Sequence, residues 1–103
     1  MAYNLSVTEH SEELLDNILH HLIYQFKNKQ AAKHLLDEIE HIYNRLEENP
    51  LQFPICRDTY LAKRGYREAV TRQMDYVIVF RVKKNVVNIV RIFHQMENYQ
   101  KKL

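Results

Sequence analysis

The sequence predicts an α+β fold: a helix hairpin packed on one face of a small, mainly antiparallel sheet, in the order β-α-α-β-β-β. Three observations predict it. Residues 14–46 carry two apolar stripes at helical spacing, residues 66–93 change to a period of two rich in β-branched side chains, and a short alternating run precedes both.

That first run alternates Tyr3, Leu5 and Val7 against Asn4 and Ser6, a strand with one buried face. Thr8 and Ser11 both suit a helix N-cap, and Glu12 and Glu13 come next, where carboxylates favour the helix dipole. Leu14, Leu15, Ile18, Leu19, Leu22, Ile23 and Phe26 then form a wide apolar stripe. Asn28-Lys29 interrupts it, and a second stripe runs through Ala31, Ala32, Leu35, Leu36, Ile39, Ile42, Tyr43 and Leu46 to the terminator Asn49-Pro50. Two such helices joined by a short break read as an antiparallel hairpin, and neither is stable without an apolar surface to dock on.

The second half supplies that surface. Residues 51–64 read as irregular. Tyr66–Thr71 is a strand, and Tyr76, Ile78, Phe80 and Val82 alternate with Val77, Val79 and Arg81 in the next. Lys83-Lys84-Asn85 is a hairpin turn, with Asn85 suited to a positive φ. Val86–Phe93 is β-branched almost throughout, which marks a central strand. Gln95–Leu103 is polar and reads as a short helix or a frayed end.

With 103 residues, 46 % of them hydrophobic and 27 % charged, the chain makes one domain, 1–103, large enough for a core. One cysteine, Cys56, excludes an internal disulfide and a cysteine-based zinc site. No apolar run approaches the roughly 18–20 residues of a membrane span, and Met1–Val7 lacks the pattern of a signal peptide, so a cytoplasmic location with no membrane partner is expected. One glycine and two prolines exclude collagen-like and glycine-rich phosphate-loop readings, and no internal repeat is present. No cofactor is indicated.

Charge divides unevenly along the chain. Residues 1–50 hold four Lys or Arg against nine Asp or Glu, a net −5, and residues 51–103 hold eleven against four, a net +7. The basic half suits an anionic partner, such as nucleic acid, ribosome or acidic peptide; helix-favouring glutamates and chance would produce the same division.

Three groups of residues could carry chemistry. His34, Glu38 and His41 share one helical face at metal-ligand spacing, but pairing of Asp37 and Glu38 with the neighbouring histidines on a solvated face accounts for them more simply; no metal site is assigned. His20-His21 spans two faces and is weaker still as a ligand pair. Cys56 has Arg57 beside it, which could depress its thiol pKa, but a nucleophile also needs a base and an orienting group. Arg67, Arg81 and Arg91 lie within predicted strands, where charge is unusual. On a sheet face free of helices they would form a cationic surface for phosphate or carboxylate, with His94 at the end of the last strand as a general acid or base. The plainer alternative is cross-strand pairing with Glu68 or Asp75. In an unbroken strand Arg91 and His94 point to opposite faces.

In this order of segments the chain resembles the ParE/RelE superfamily, the toxins of bacterial type II toxin–antitoxin modules, from Tyr3 to about Tyr99. The residues that carry the resemblance are Leu15 and Ile18 in Leu-x-x-Ile spacing, Asn28-Lys29-Gln30-Ala31-Ala32 opening the second helix, and Leu46-Glu47-Glu48-Asn49-Pro50 closing it. Gly65-Tyr66-Arg67, Tyr76–Val82 and Val87–His94 complete the set, the last ending in the most specific pattern, Ile-x-His. The resemblance implies a growth-arresting protein neutralised by a cognate antitoxin with an acidic, partly disordered tail, a partner that the basic half suits.

The superfamily implies two modes of action. RelE-like members cut mRNA on the ribosome with basic and acid/base groups on the exposed sheet face; ParE-like members inhibit DNA gyrase without an attributed hydrolytic site. This chain has Val77 where RelE-like nucleases tend to carry an arginine, and Lys63-Arg64 is its nearest counterpart to the RelE lysine cluster. Met96 and Glu97 stand where ParE-like chains often show Arg-Asp. The long helix hairpin favours ParE, and modest basicity argues against tight ribosome binding. His94 keeps the nuclease option, because some RelE relatives use a histidine near that position. The expectation is therefore a gyrase-directed binder with Arg67, Arg81 and Arg91 as target-binding residues. The alternatives are a ribosome-dependent mRNA endonuclease with His94 as its catalytic group, and an inactive member that only binds. The apolar helix faces also suit a homodimer.

Overall fold

The structure is a computed structural model, which describes residues 2–96. The predicted Gln95–Leu103 segment therefore lies, from residue 97 onward, outside the described residues.

Strand β1 (Asn4–Val7) leads into helix α1 (Glu9–His20), capped by Thr8, whose hydroxyl accepts from the Ser11 N–H at 3.1 Å. Of the two predicted caps Thr8 is used, and Ser11 is buried in the first turn. The helix does not run on through the apolar stripe. It widens into a π-turn, His21–Gln25, closed by the Phe26 N–H on the His21 carbonyl at 3.2 Å. One extra residue in the turn rotates the next side chains by roughly 100°. Phe26, expected on the buried stripe, therefore stands in solvent. Lys27 turns the chain at φ 52°, and Asn28 caps helix α2 (Lys29–Glu48) by accepting the Ala31 N–H at 2.9 Å.

Helix α2 ends at Asn49, and a single 3₁₀ turn, Pro50–Gln52, comes after it. The segment expected to be irregular contains a short helix α3 (Thr59–Lys63), capped by Asp58 at one end and stopped at the other by Gly65. The Tyr66 N–H bonds the Leu61 carbonyl at 3.1 Å and the Gly65 N–H bonds that of Ala62 at 3.0 Å, a Schellman closure that needs the left-handed φ of 81° at Gly65.

Strands β2 (Arg67–Val70), β3 (Tyr76–Lys83) and β4 (Val86–His94) complete a sheet of order β1-β4-β3-β2, in which β1 runs parallel to β4 and the other pairs are antiparallel. Strand β4 is central, as its β-branched run predicts. In the β3–β4 turn the positive φ falls on Lys84 (58°), not on Asn85. A bulge shifts the register between Val79 and Phe80, so that Phe80 faces Ile89 while Val79 faces Arg91.

Both faces of the sheet are covered, and this is the main departure from expectation. Ile78, Phe80, Val87, Ile89 and Ile92 pack against Leu35, Ile39, Ile42 and Leu46 of α2 and the apolar side of α1. On the other face Val77, Val79 and Phe93 pack under Cys56, Leu61 and Tyr66. A sheet buried on both sides explains why Val77–Phe80 is an unbroken buried run rather than an alternation.

Candidate functional site

The α3 segment divides the second sheet face into a covered part and a cationic, aromatic part. Arg81 comes after Val79 on that face and stands exposed, its guanidinium 5.2 Å from the centroid of the Tyr66 ring. Arg64, the last residue before Gly65, lies 3.7 Å over Tyr60, one helical turn back. Since the Schellman closure ties Tyr66 to Leu61, the two arginine–ring pairs are mounted on one rigid corner. Such stacking restrains each guanidinium while its donors stay in water. Sequence reasoning does not single out Tyr60, Arg64 and Tyr66 as site residues. Their signals are nevertheless present: an i, i+4 Tyr–Arg pair, bracketed by the cap Asp58 and by Gly65.

The other three sequence-derived residues lie elsewhere. Arg67 sits opposite Phe80 on the helix side and donates through Nη1 to the Phe53 carbonyl at 2.7 Å. Arg91 lies beyond the end of β1, which stops opposite Ile89, and is only 8 % exposed. Its Nη1 is 2.8 Å from His10 Nε2 on α1. A guanidinium can only donate, so His10 accepts through Nε2 and carries its proton on Nδ1. His94 closes β4 opposite Tyr76, the two rings edge to face at 5.2 Å, and its Nδ1 accepts the Met96 N–H at 3.2 Å. Arg91 and His94 nevertheless line one cleft of about 510 Å³ between α1 and the end of β4, together with Asn17, His21 and Tyr76. The expectation of a single face carrying Arg67, Arg81 and Arg91 is thus not met. Arg81 is on one side, Arg67 on the other, and Arg91 reaches round the edge to α1.

The carboxylates considered as strand partners are engaged otherwise. Glu68 is buried on the α3 side, accepting from the Arg57 backbone N–H at 3.2 Å and from Arg57 Nε at 3.0 Å. Arg57 Nη2 continues to Gln95 Oε1 at 3.1 Å, and Gln95 Nε2 donates to Asp75 at 3.3 Å. Beside this network Cys56 is buried, and burial, then the Glu68 and Asp58 charges, push its thiol up to about 12. Arg57 opposes that shift without reversing it, so the activated-thiol reading of Cys56 is overturned. Among the described residues no group of three His, Cys, Asp or Glu could hold a metal. His34 Nε2 instead meets Glu38 Oε1 at 3.9 Å, and the same oxygen accepts the Gln73 N–H at 3.0 Å.

No helix among the described residues is long and apolar enough to cross a membrane. The strand order, the helix pair on one face and the α3 segment across the other form a fold shared with chains of solved toxin–antitoxin systems. A chain of the chromosomal ParDE toxin–antitoxin system from P. aeruginosa superposes with TM-score 0.73 at 20 % identity, covering 90 % of this chain and 96 % of that one. A chain of the RelBE2 toxin–antitoxin complex from Mycobacterium tuberculosis gives 0.59 at 20 % identity, with 92 % and 100 % covered. YafQ from E. coli gives 0.58 at 12 % identity, with 90 % and 93 % covered. At these identities the likeness concerns the fold. The family itself is shown by the sequence: residues 5–99 match the model of the ParE toxin of the parDE type II toxin–antitoxin system, and the chain belongs to that family. Comparison with curated proteins finds no match.

Proposed function

We propose that the chain arrests bacterial growth in the cytoplasm by occupying a macromolecular target, DNA gyrase in the favoured reading, and that a cognate antitoxin neutralises it. The observation that carries the binding reading is the separation of the polar groups. Arg81 lies five residues along β3 from the Tyr76–His94 pair, about 16 Å at strand rise. Phosphodiester cleavage needs an acid/base group and a cation within hydrogen-bond reach of one phosphate. A surface that contacts a large target has no such requirement, and the Arg81–Tyr66 and Arg64–Tyr60 pairs suit one. Arg81 is the leading contact. Arg67 and Arg91 support that surface from the sheet margins, Arg67 by holding the Phe53 carbonyl and Arg91 by holding His10, rather than by reaching the target themselves.

One observation favours the nuclease alternative: His94 and Arg91 share a cleft with Tyr76. In that reading His94 is the general acid or base and Arg91 stabilises charge on the phosphate. Against it, Arg91 is nearly enclosed and already hydrogen-bonded to His10.

The antitoxin reading rests on the family and on the solved toxin–antitoxin systems that share this fold. The net +7 of residues 51–103 suits an acidic tail. A homodimer would have to use what the sheet leaves uncovered, because the α2 stripe is packed against it; size-exclusion chromatography with light scattering decides that point.

The deciding experiment is induced expression in bacteria with separate pulse labelling of DNA and protein. Early loss of DNA synthesis is expected, together with inhibition of gyrase supercoiling by the purified protein. Early loss of protein synthesis, with cleavage of mRNA on ribosomes that His94→Ala abolishes, would establish the nuclease instead. No effect on growth would leave an inactive binding member.

A further inference from the structure

The helix hairpin is electrically divided along its length. Its nine carboxylates fall in residues 9–16 and 37–48, the start of α1 and the second half of α2, where Glu12 and Tyr43 line one depression. Residues 17–36, which make up the tip, contain no Asp or Glu; they hold Lys27, Lys29 and Lys33 with His20, His21 and His34. An otherwise acidic half of the chain therefore ends in a cationic cap. The N-terminus of the 20-residue α2 adds its positive dipole end to the same cap.

Two large rings stand out of this cap. Tyr24 is 65 % and Phe26 66 % exposed, although Phe26 continues the apolar stripe of the α1 sequence. The π-turn turns Phe26 outward, and the rings are braced from behind: His20 lies 4.6 Å from Tyr24, and His21 lies edge-on to Phe26 at 4.8 Å. The exposed residues that separate and succeed the rings are polar: Gln25, Lys27, Asn28, Lys29 and Gln30.

We propose that this tip binds single-stranded nucleic acid, with bases stacked on Tyr24 and Phe26 and phosphates met by Lys27, Lys29 and Lys33. Exposed rings interleaved with cations are the arrangement that holds unpaired bases, because every base offers a face to stack while the cations track the backbone. An anionic membrane would call for a wider apolar face than two rings set among polar residues. An acidic protein would use the charges but not the braced rings. The inference is independent of the gyrase reading, since it concerns other residues than the Arg81 corner and its readout is oligonucleotide binding.

The test is fluorescence anisotropy of labelled twelve-nucleotide oligothymidine and oligouridine titrated with the full chain at low salt. Binding is expected, with log K falling against log salt at a slope of about −2, as three lysines on a single strand imply. Tyr24→Ala and Phe26→Ala should each weaken it about tenfold, and Lys27→Glu with Lys29→Glu should abolish it. Lys83→Ala with Lys84→Ala, on the β3–β4 turn, should leave it unchanged. The ring positions are solvent-exposed, so thermal melts of these variants should match the parent and separate lost binding from lost folding. The proposal is overturned if the parent does not bind. It is equally overturned if ring-less variants bind as the parent does, or if poly-glutamate or phosphatidylglycerol vesicles bind as tightly as the oligonucleotide.

Discussion

Glu68 and Arg57 show how a single residue's surroundings set its role. Glu68 is 3 % exposed and takes two hydrogen bonds from Arg57, one from the backbone and one from the side chain. Arg57→Ala should therefore cost about 1–3 kcal/mol, as removing a charge-assisted bond from a buried carboxylate does, whereas Glu68→Gln, which also removes the charge, should cost less. Urea denaturation midpoints of the two variants check the order. Cys56 next to this pair should be silent. With its thiol at about 12, only about one molecule in 10⁴ is thiolate at pH 8, so a thiol reagent should label it only as fast as the protein opens. The raised thiol also fixes a sign. Deprotonation favours the unfolded chain, so this contribution to stability is whole below the ordinary thiol range and falls away as pH rises from about 9 toward 12. Neither behaviour could be read from the sequence, where Cys56-Arg57 looks like an activated pair; only the fold shows that burial outweighs the adjacent cation.

At the scale of elements, α2 depends on its docked face. Leu35 and Leu46 are fully buried while Leu36 is not, so Leu35→Ala or Leu46→Ala should cost about 3–5 kcal/mol and Leu36→Ala under about 1 kcal/mol, measured by chemical denaturation. The turn between β3 and β4 gives a prediction of opposite sign. Lys84 holds a φ of 58°, which a side chain resists, so Lys84→Gly should stabilise the protein by up to about 1 kcal/mol. The two long helices, the cap at Thr8 and the strands from β2 to β4 are legible in the sequence because each rests on local periodicity or local hydrogen bonding. Phe26 is misplaced by periodicity because a π-turn leaves no compositional mark, and α3 escapes it because five residues are too few to show a helical period. Residue preference gives the positive φ of the β3–β4 turn to Asn85, whereas strand register fixes it on Lys84.

At the scale of the whole molecule, the sheet is a slab with a helix pair on one side and a short segment on the other, and the segment leaves only part of its face open. If the Arg81–Tyr66 and Arg64–Tyr60 corner meets the target, Arg81→Ala with Arg64→Ala should reduce growth arrest at least tenfold in the inducer needed, with antitoxin binding and thermal stability retained. Arrest that persists unchanged in that double variant would exclude this corner as the contact.

The fold class and the order of its elements are legible in the sequence because amphipathic period, caps and β-branching are written locally; the family is legible separately, in the match of residues 5–99 to the ParE toxin model. Only the tertiary structure decided which cations share a surface. The expectation of one helix-free face put Arg67, Arg81 and Arg91 together, but pairing sets Arg67 opposite Phe80 on the helix side, while Arg81 comes after Val79 on the other. The bulge and the short β1 then carry Arg91 to His10. Face and neighbour depend on register and on where adjacent strands end, and those are fixed by contacts between residues far apart in the chain.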